Sequence, residues 1–169
     1  NEFLASNRGN TPVPNQVPGT THDWIEIHNR GTTTLSLAGW HLTDSAGDLN
    51  KWTFPPGTTI RRGDFLVVFA SGNNTPDANG NLHTNFALGA DGDYVALVRP
   101  TLTVASEFGP SNTDYPSQQS DISYGLHPGN LEPDPRRSQR YRRSTAGREH
   151  PVQPQARLLH LGHQPLPHH

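Results

Sequence analysis

With 169 residues, only 31% of them hydrophobic, and with 16 Gly and 16 Pro, the chain has length for one domain with a compact core plus an extra segment. It holds no Cys, which excludes disulfides and Cys-ligated metal centres, and no apolar run approaches the roughly 18–20 residues of a membrane span, so membrane insertion is not expected. The net charge of -2 conceals a division: residues 1–125 carry 6 Lys+Arg against 12 Asp+Glu, whereas residues 126–169 carry 7 Arg against 3 acids. The absence of Met, and of a basic-then-apolar leader, reads as a processed product or an excerpt whose signal peptide, if it has one, lies upstream.

In chain order, Glu2-Phe3-Leu4-Ala5 is a short apolar start, and Ser6 to Thr21 is a surface loop rich in Asn, Gly, Pro and Thr. In Asp23-Trp24-Ile25-Glu26-Ile27-His28-Asn29 the period of two sets Trp24, Glu26 and His28 against Ile25 and Ile27, as in a half-buried strand. Asn29-Arg30-Gly31 is expected to end it through the tolerance of Asn and Gly for positive φ. Leu35-Ser36-Leu37 alternates, Ala38-Gly39 turns, and Trp40-His41-Leu42-Thr43 alternates again, so Trp24 and Trp40 are expected to nucleate a sheet from neighbouring strands.

After the polar turn Asp44 to Asn50, Lys51-Trp52-Thr53-Phe54 puts Trp52 and Phe54 on one face before Pro55-Pro56-Gly57 stops the strand. Asp64 to Ala70 is the most apolar run, suited to a strand buried on both faces. Beyond a polar loop from Asn73 to Asn81, Asn85-Phe86-Ala87-Leu88 and Tyr94 to Val98 read as strands joined by a hairpin-like turn at Asp91-Gly92-Asp93. Leu102 to Ala105 and Glu107-Phe108 supply a last strand or two. No segment offers a capped amphipathic helix, and about eight short strands at near-regular spacing predict an all-β sandwich.

Several of these blocks, in the same order, closely resemble the bacterial lamin-tail domain: Glu2 to Asn7, Asp23 to Asn29, Leu37 to Asp44, Trp52 to Pro55, Gly63 to Gly72, His83 to Leu88 and Asp121 to Gly125. The resemblance covers residues 1–125, with Trp24, Glu26, Asn29, Gly39, Trp40 and Asp44 as its structural signature. It implies an immunoglobulin-like β-sandwich without catalytic activity, serving as one module of a larger secreted or surface-attached bacterial protein. The partners expected are the other domains of that parent and a protein ligand; the alternative reading is a polysaccharide-binding module, with Ca²⁺ as an aid, that uses exposed loops such as Asn73 to Asn81. One departure is the Pro-rich, uncharged stretch Thr11 to Thr21, where relatives often carry an acidic loop; this puts any ion site of that loop in doubt.

Residues 126–169 lie outside the resemblance. Ordering 44 residues costs on the order of 60 kcal/mol at about 1.5 kcal/mol each, and eight large apolar side chains return about 24 kcal/mol at best, so a disordered tail is expected. A base dropped within the codon of Ser144 allows Pro-x-Pro-Gly-Ala-Asn-Thr over Ser144 to His150, close to the family's usual ending, so an out-of-frame translation is an alternative origin of this tail.

Four constellations bear on function. Arg136, Arg137, Arg140, Arg142 and Arg143, beside Tyr141, have the composition of a phosphate-binding run and raise nucleic-acid binding, against the reading of a solvated basic tail. Asp77, Asn79 and Asn81 form an oxygen-rich turn of the kind that holds Ca²⁺, as does Asp44 to Asp48, but neither has an established calcium-loop spacing, and ordinary turns use the same residues. No other cofactor is expected. Asp23, Glu26, His28, His41, Asp44 and Ser45 are residue types found in hydrolytic sites, yet no nucleophile elbow, paired-His zinc motif or Gly-rich phosphate loop is present, so an enzyme is not expected. Trp24, Trp40 and Trp52 raise a carbohydrate-stacking platform; core packing is the competing reading, favoured more for Trp24 and Trp40 than for Trp52.

Overall fold

The computed structural model describes residues 2–9, 13, 16–110, 113–126, 133 and 134. Among them run twelve strands and no α-helix: β1 (Glu2–Leu4), β2 (Asp23–His28), β3 (Leu35–Ser36), β4 (His41–Thr43), β5 (Trp52–Thr53), β6 (Thr59–Ile60), β7 (Phe65–Ala70), β8 (Leu82–His83), β9 (Val95–Val98), β10 (Val104–Phe108), β11 (Tyr124–Leu126) and β12 (Pro133–Asp134). One sheet has the order β12-β11-β1-β2-β7-β8, a second β10-β9-β4-β5, and β3 pairs with β6 alone. The excess over the eight expected comes from two-residue strands, too short for alternation to mark.

Alternation decides which side chains meet between the sheets. Phe3, Ile25, Ile27 and Val68 of the six-stranded sheet share one core with Leu42, Trp52, Phe54, Val95 and Phe108. Phe3 is its centre: fully buried, its ring lies 5.0 Å from Phe108 and 4.4 Å from Tyr115. Truncating such a ring costs about 3–5 kcal/mol. Trp52 and Phe54 do share a face, with ring centroids 4.9 Å apart and nearly perpendicular.

The outer faces are covered as well. Trp24 packs with Leu4 and Phe69 under Val13 of the loop between β1 and β2, and Tyr94, Ala96 and Val98 pack with Leu49 and Val104 on the outside of the second sheet. The alternation in β2 is therefore as expected, but the strand is buried on both faces from Trp24 to Ile27, because the connecting loop folds back over it. Strand β7 has the converse difference: its end, Val68 to Ala70, is buried on both faces, while Phe65 at its start is half exposed.

Further expectations are revised. Trp24 and Trp40 do not sit on neighbouring strands; the first is in β2 and the second leads into β4 of the other sheet. Asn29 and Gly31 do not have positive φ; the strand ends because the Asn29 side chain caps the turn, with Gly31 N–H donating to Asn29 Oδ1 at 2.9 Å. Residues 85–88 and 95–98 form no hairpin. Instead β8 at Leu82–His83 runs parallel to β7, and Ala87 makes a single bridge to Ser71. Residues 102–108 give one strand, β10, with a register shift between Val104 and Ser106. Within the tail, Leu126 and Pro133–Asp134 belong to strands at the edge of the six-stranded sheet; the rest of the expected disorder falls outside the described residues.

Candidate functional site

A polar cluster lies where β7 and β8 run side by side. Their register, Phe69 beside His83, brings Ser71 to the His83 ring. Ser71 Oγ lies 2.7 Å from His83 Nδ1, and His83 Nε2 lies 3.3 Å from Asp77 Oδ2. An ionised carboxylate only accepts, so Nε2 donates toward Asp77. The ring stacks on Phe69 at 5.2 Å and meets His22 edge-on at 5.4 Å. Burial lowers the pKa of His22, His83 lowers it further, and Asp77 acts in the opposite direction.

Asp77 is the anchor of the following turn. Its Oδ1 accepts N–H groups of Asn79 and Asn81, at 2.9 and 3.0 Å, and its Oδ2 accepts Asn81 Nδ2 at 2.7 Å as well as His83. Burial pushes the carboxyl up, but the bonds from Asn81, His83 and Asn79 outweigh it and hold the pKa at about 2. The carboxylate of the Asp77, Asn79 and Asn81 turn thus faces nitrogen donors, not the six to eight oxygens that Ca²⁺ takes. Among the described residues no group of three or more His, Cys, Asp or Glu is arranged to hold a metal ion.

Ser71, His83 and Asp77 have the connectivity of a nucleophile, base and orienting acid. Acyl transfer also needs N–H donors aimed at a developing oxyanion. The neighbouring donors are already bonded: Gly72 N–H to Phe86 C=O, Asn74 N–H to Thr84 C=O, and Asn73 N–H to Ser71 Oγ itself. His83 is 4% exposed. The arrangement fastens residues 71–87 to the sheet, with the histidine buried and Ser71 itself partly exposed. Neither Ser71 nor His83 stood out as a site residue in the sequence, since their meeting depends on a parallel strand pair that no local pattern announces.

The other predicted residues are spread through the fold. Asn29 is buried and its Nδ2 donates to Thr33 C=O at 2.8 Å and Ile60 C=O at 2.9 Å, tying the end of β2 to β6. Glu26 sits at the middle of β2, opposite Glu2 of β1. Gly39 takes φ of +75° in the turn before Trp40. Asp44 lies 2.6 Å from Lys51 Nζ across the turn that leads from β4 to β5, and Thr43 Oγ1 donates to Asp48 C=O within it.

Trp52 and Trp24 are buried, whereas Trp40 is partly buried with the Arg99 guanidinium 5.9 Å from its ring. The order of burial expected for Trp40 and Trp52 is reversed, and the three rings do not form one exposed platform. Arg136, Arg137, Arg140, Arg142 and Arg143 fall outside the described residues. Between the sheets, a cavity lined by Ile25, Ile27, Leu42, Val95 and Phe108 has a volume of about 30 Å³, room for a water or two. A surface hollow of about 300 Å³ bordered by Pro116 to Gln119 and Ile122 to Tyr124 has no charged side chain.

Two covered sheets around one aromatic core, with polar clusters that fasten loops, define an all-β immunoglobulin-like structural module. A protein-family model described as Lamin Tail Domain matches residues 1–112, and the chain belongs to that family. No curated protein and no solved structure matches it. The matched residues stop short of β11, which supplies the other neighbour of β1 in the six-stranded sheet.

Proposed function

We propose that the chain is a non-catalytic structural or adhesive module of a larger secreted or surface-attached protein, spacing or joining the domains beside it. The observation that carries this reading is the Ser71–His83–Asp77 cluster: this constellation with catalytic connectivity has its neighbouring N–H groups bonded and its histidine buried. Membership of a family of structural immunoglobulin-like domains supports the same reading. Partner contacts then fall to loops and exposed side chains, Phe65 and Leu102 being the exposed large apolar ones among the described residues.

The test is ester hydrolysis by the full chain, with p-nitrophenyl acetate and butyrate, beside Ser71→Ala. Neither protein is expected to exceed the buffer rate. Ser71→Ala, which leaves His83 Nδ1 and Asn73 N–H without their partner, is expected to lose about 1 kcal/mol of stability. Turnover by the wild type that a folded Ser71→Ala variant lacks would overturn the proposal.

A further inference from the structure

The outer face of the six-stranded sheet changes character along β2 and β7. Where Trp24 is the register partner of Phe69, the face is closed by Val13. At the far end His28 and Phe65 are register partners whose rings stack, with centroids 4.2 Å apart and planes 12° from parallel. Phe65 is 50% exposed there, although fully burying a Phe side chain is worth about 1.5–3 kcal/mol. Beside this stack the turns at 29–31 and 61–64 are tied together: Asn29 N–H donates to Asp64 C=O at 3.0 Å, and Gly63 N–H to Asn29 C=O at 2.9 Å. These turns carry Arg30, Arg61 and Arg62, all exposed, against the single acid Asp64. They hold three of the six Lys and Arg in residues 1–125, a stretch with 12 Asp and Glu. Lys51 is paired with Asp44, and Arg99 with Val104 C=O and the Trp40 ring. No carboxylate among the described residues lies within ion-pair distance of Arg30, Arg61 or Arg62.

Taking the chain as an adhesive module, as proposed above, we infer that this patch binds an acidic polysaccharide, a chain of sugar rings that bear carboxylates. A sugar ring presents C–H groups to the negative face of an aromatic ring, and the half-exposed Phe65 offers such a surface. A guanidinium donates two parallel bonds to a carboxylate, its planar fork matching the two oxygens. Cations gathered at one end of an otherwise acidic module draw an anion to that end and repel it elsewhere. The platform is also set in advance: the Asn29 side chain bonds Thr33 C=O, Ile60 C=O and Gly31 N–H, so binding orders little backbone. A duplex nucleic acid is a poorer match. It carries one charge per about 1.7 Å of its axis, which three arginines do not answer and the acids around them oppose, whereas a polyuronate spreads one carboxylate over each sugar.

Calorimetric titration of the full chain with oligogalacturonate tests the site, with dextran oligosaccharides and oligo-dT as comparators. Binding of oligogalacturonate is expected, and it should weaken as NaCl rises from about 0.05 M to about 0.5 M. Phe65→Leu keeps an apolar side chain without the ring; this variant, and the triple variant Arg30→Gln, Arg61→Gln, Arg62→Gln, should each bind at least about tenfold more weakly. Their urea midpoints should stay within about 0.3 M of wild type, as for exposed positions. Changing the arginines at 136, 137, 140, 142 and 143 to Gln should alter the affinity by less than about threefold. Absence of binding, equal binding of dextran, tighter binding of oligo-dT, or an affinity that follows the arginines of 136–143 instead of this patch would each sink the proposal. In any of those cases the ester-hydrolysis test above still decides the non-catalytic reading.

Discussion

Asn29→Ala isolates one hub of the fold. The side chain makes three hydrogen bonds, to Thr33 C=O, to Ile60 C=O and from Gly31 N–H, at 2.8 to 2.9 Å. Alanine removes all three. The buried Ile60 carbonyl loses this donor, a net loss of about 1–1.5 kcal/mol. The Thr33 and Gly31 groups are only partly buried and recover water, so each loses a few tenths to 1 kcal/mol. The total comes to about 2–3 kcal/mol. With a urea m-value of about 2 kcal/mol per molar, the unfolding midpoint falls by about 1–1.5 M at unchanged m. Asn29→Asp is expected to do no better, because a carboxylate keeps the bond from Gly31 but faces the Ile60 and Thr33 carbonyls with no proton to donate. A midpoint shift below about 0.3 M for Asn29→Ala would refute the hub reasoning.

Two further outcomes follow from named contacts. The Asp77 carboxyl has its pKa lowered from 3.8 to about 2 in the folded chain, so its contribution is present above pH 3.8 and is lost as pH falls toward 2. Asp77→Ala should flatten the acid limb of the urea midpoint over that window; wild-type and variant curves that run parallel would refute this. Gly109 has φ of +83°, and a Cβ there would stand 2.3 Å from Thr113 C=O, whereas Gly57, at φ of +84°, has open space. Gly109→Ala should cost more than about 2 kcal/mol and Gly57→Ala about 1–2 kcal/mol, read as a larger drop in Tm for the first, and equal drops would count against the backbone clash.

The fold was legible where strands are long enough for alternation to repeat. Trp24 to Ile27 and Trp52 to Phe54 placed their inward faces correctly because a period of two is a local property. What alternation cannot report is what lies over the outward face: Val13, a residue in a loop of Asn, Gly and Pro, closes over the Trp24 cluster. The His83 cluster was illegible for a related reason. Asp77, Asn79 and Asn81 are close in sequence, so their turn showed, but the oxygens it seemed to offer are covered by N–H groups of the same turn. Ser71 and His83 meet only through the parallel pairing of β7 with β8, and parallel pairs lack the hairpin turn that marks antiparallel ones. The signature residue Asn29 was recognised without its mechanism, since its bond to Ile60 spans 31 residues.

The place of β1 in the six-stranded sheet has a consequence for how the chain reaches its folded state. Its partners are β2, which begins at residue 23, and β11, which begins at residue 124. A chain emerging from the ribosome therefore pairs Glu2 to Leu4 with β2 early and exposes the opposite edge of β1 until Tyr124 arrives. Open edges recruit other chains, and contacts of such long sequence separation form slowly. The segment around Tyr124, whose ring comes to rest 5.7 Å from Phe3, is then the stitch that covers this edge of β1, and until it is in place that edge is open to pairing with another chain.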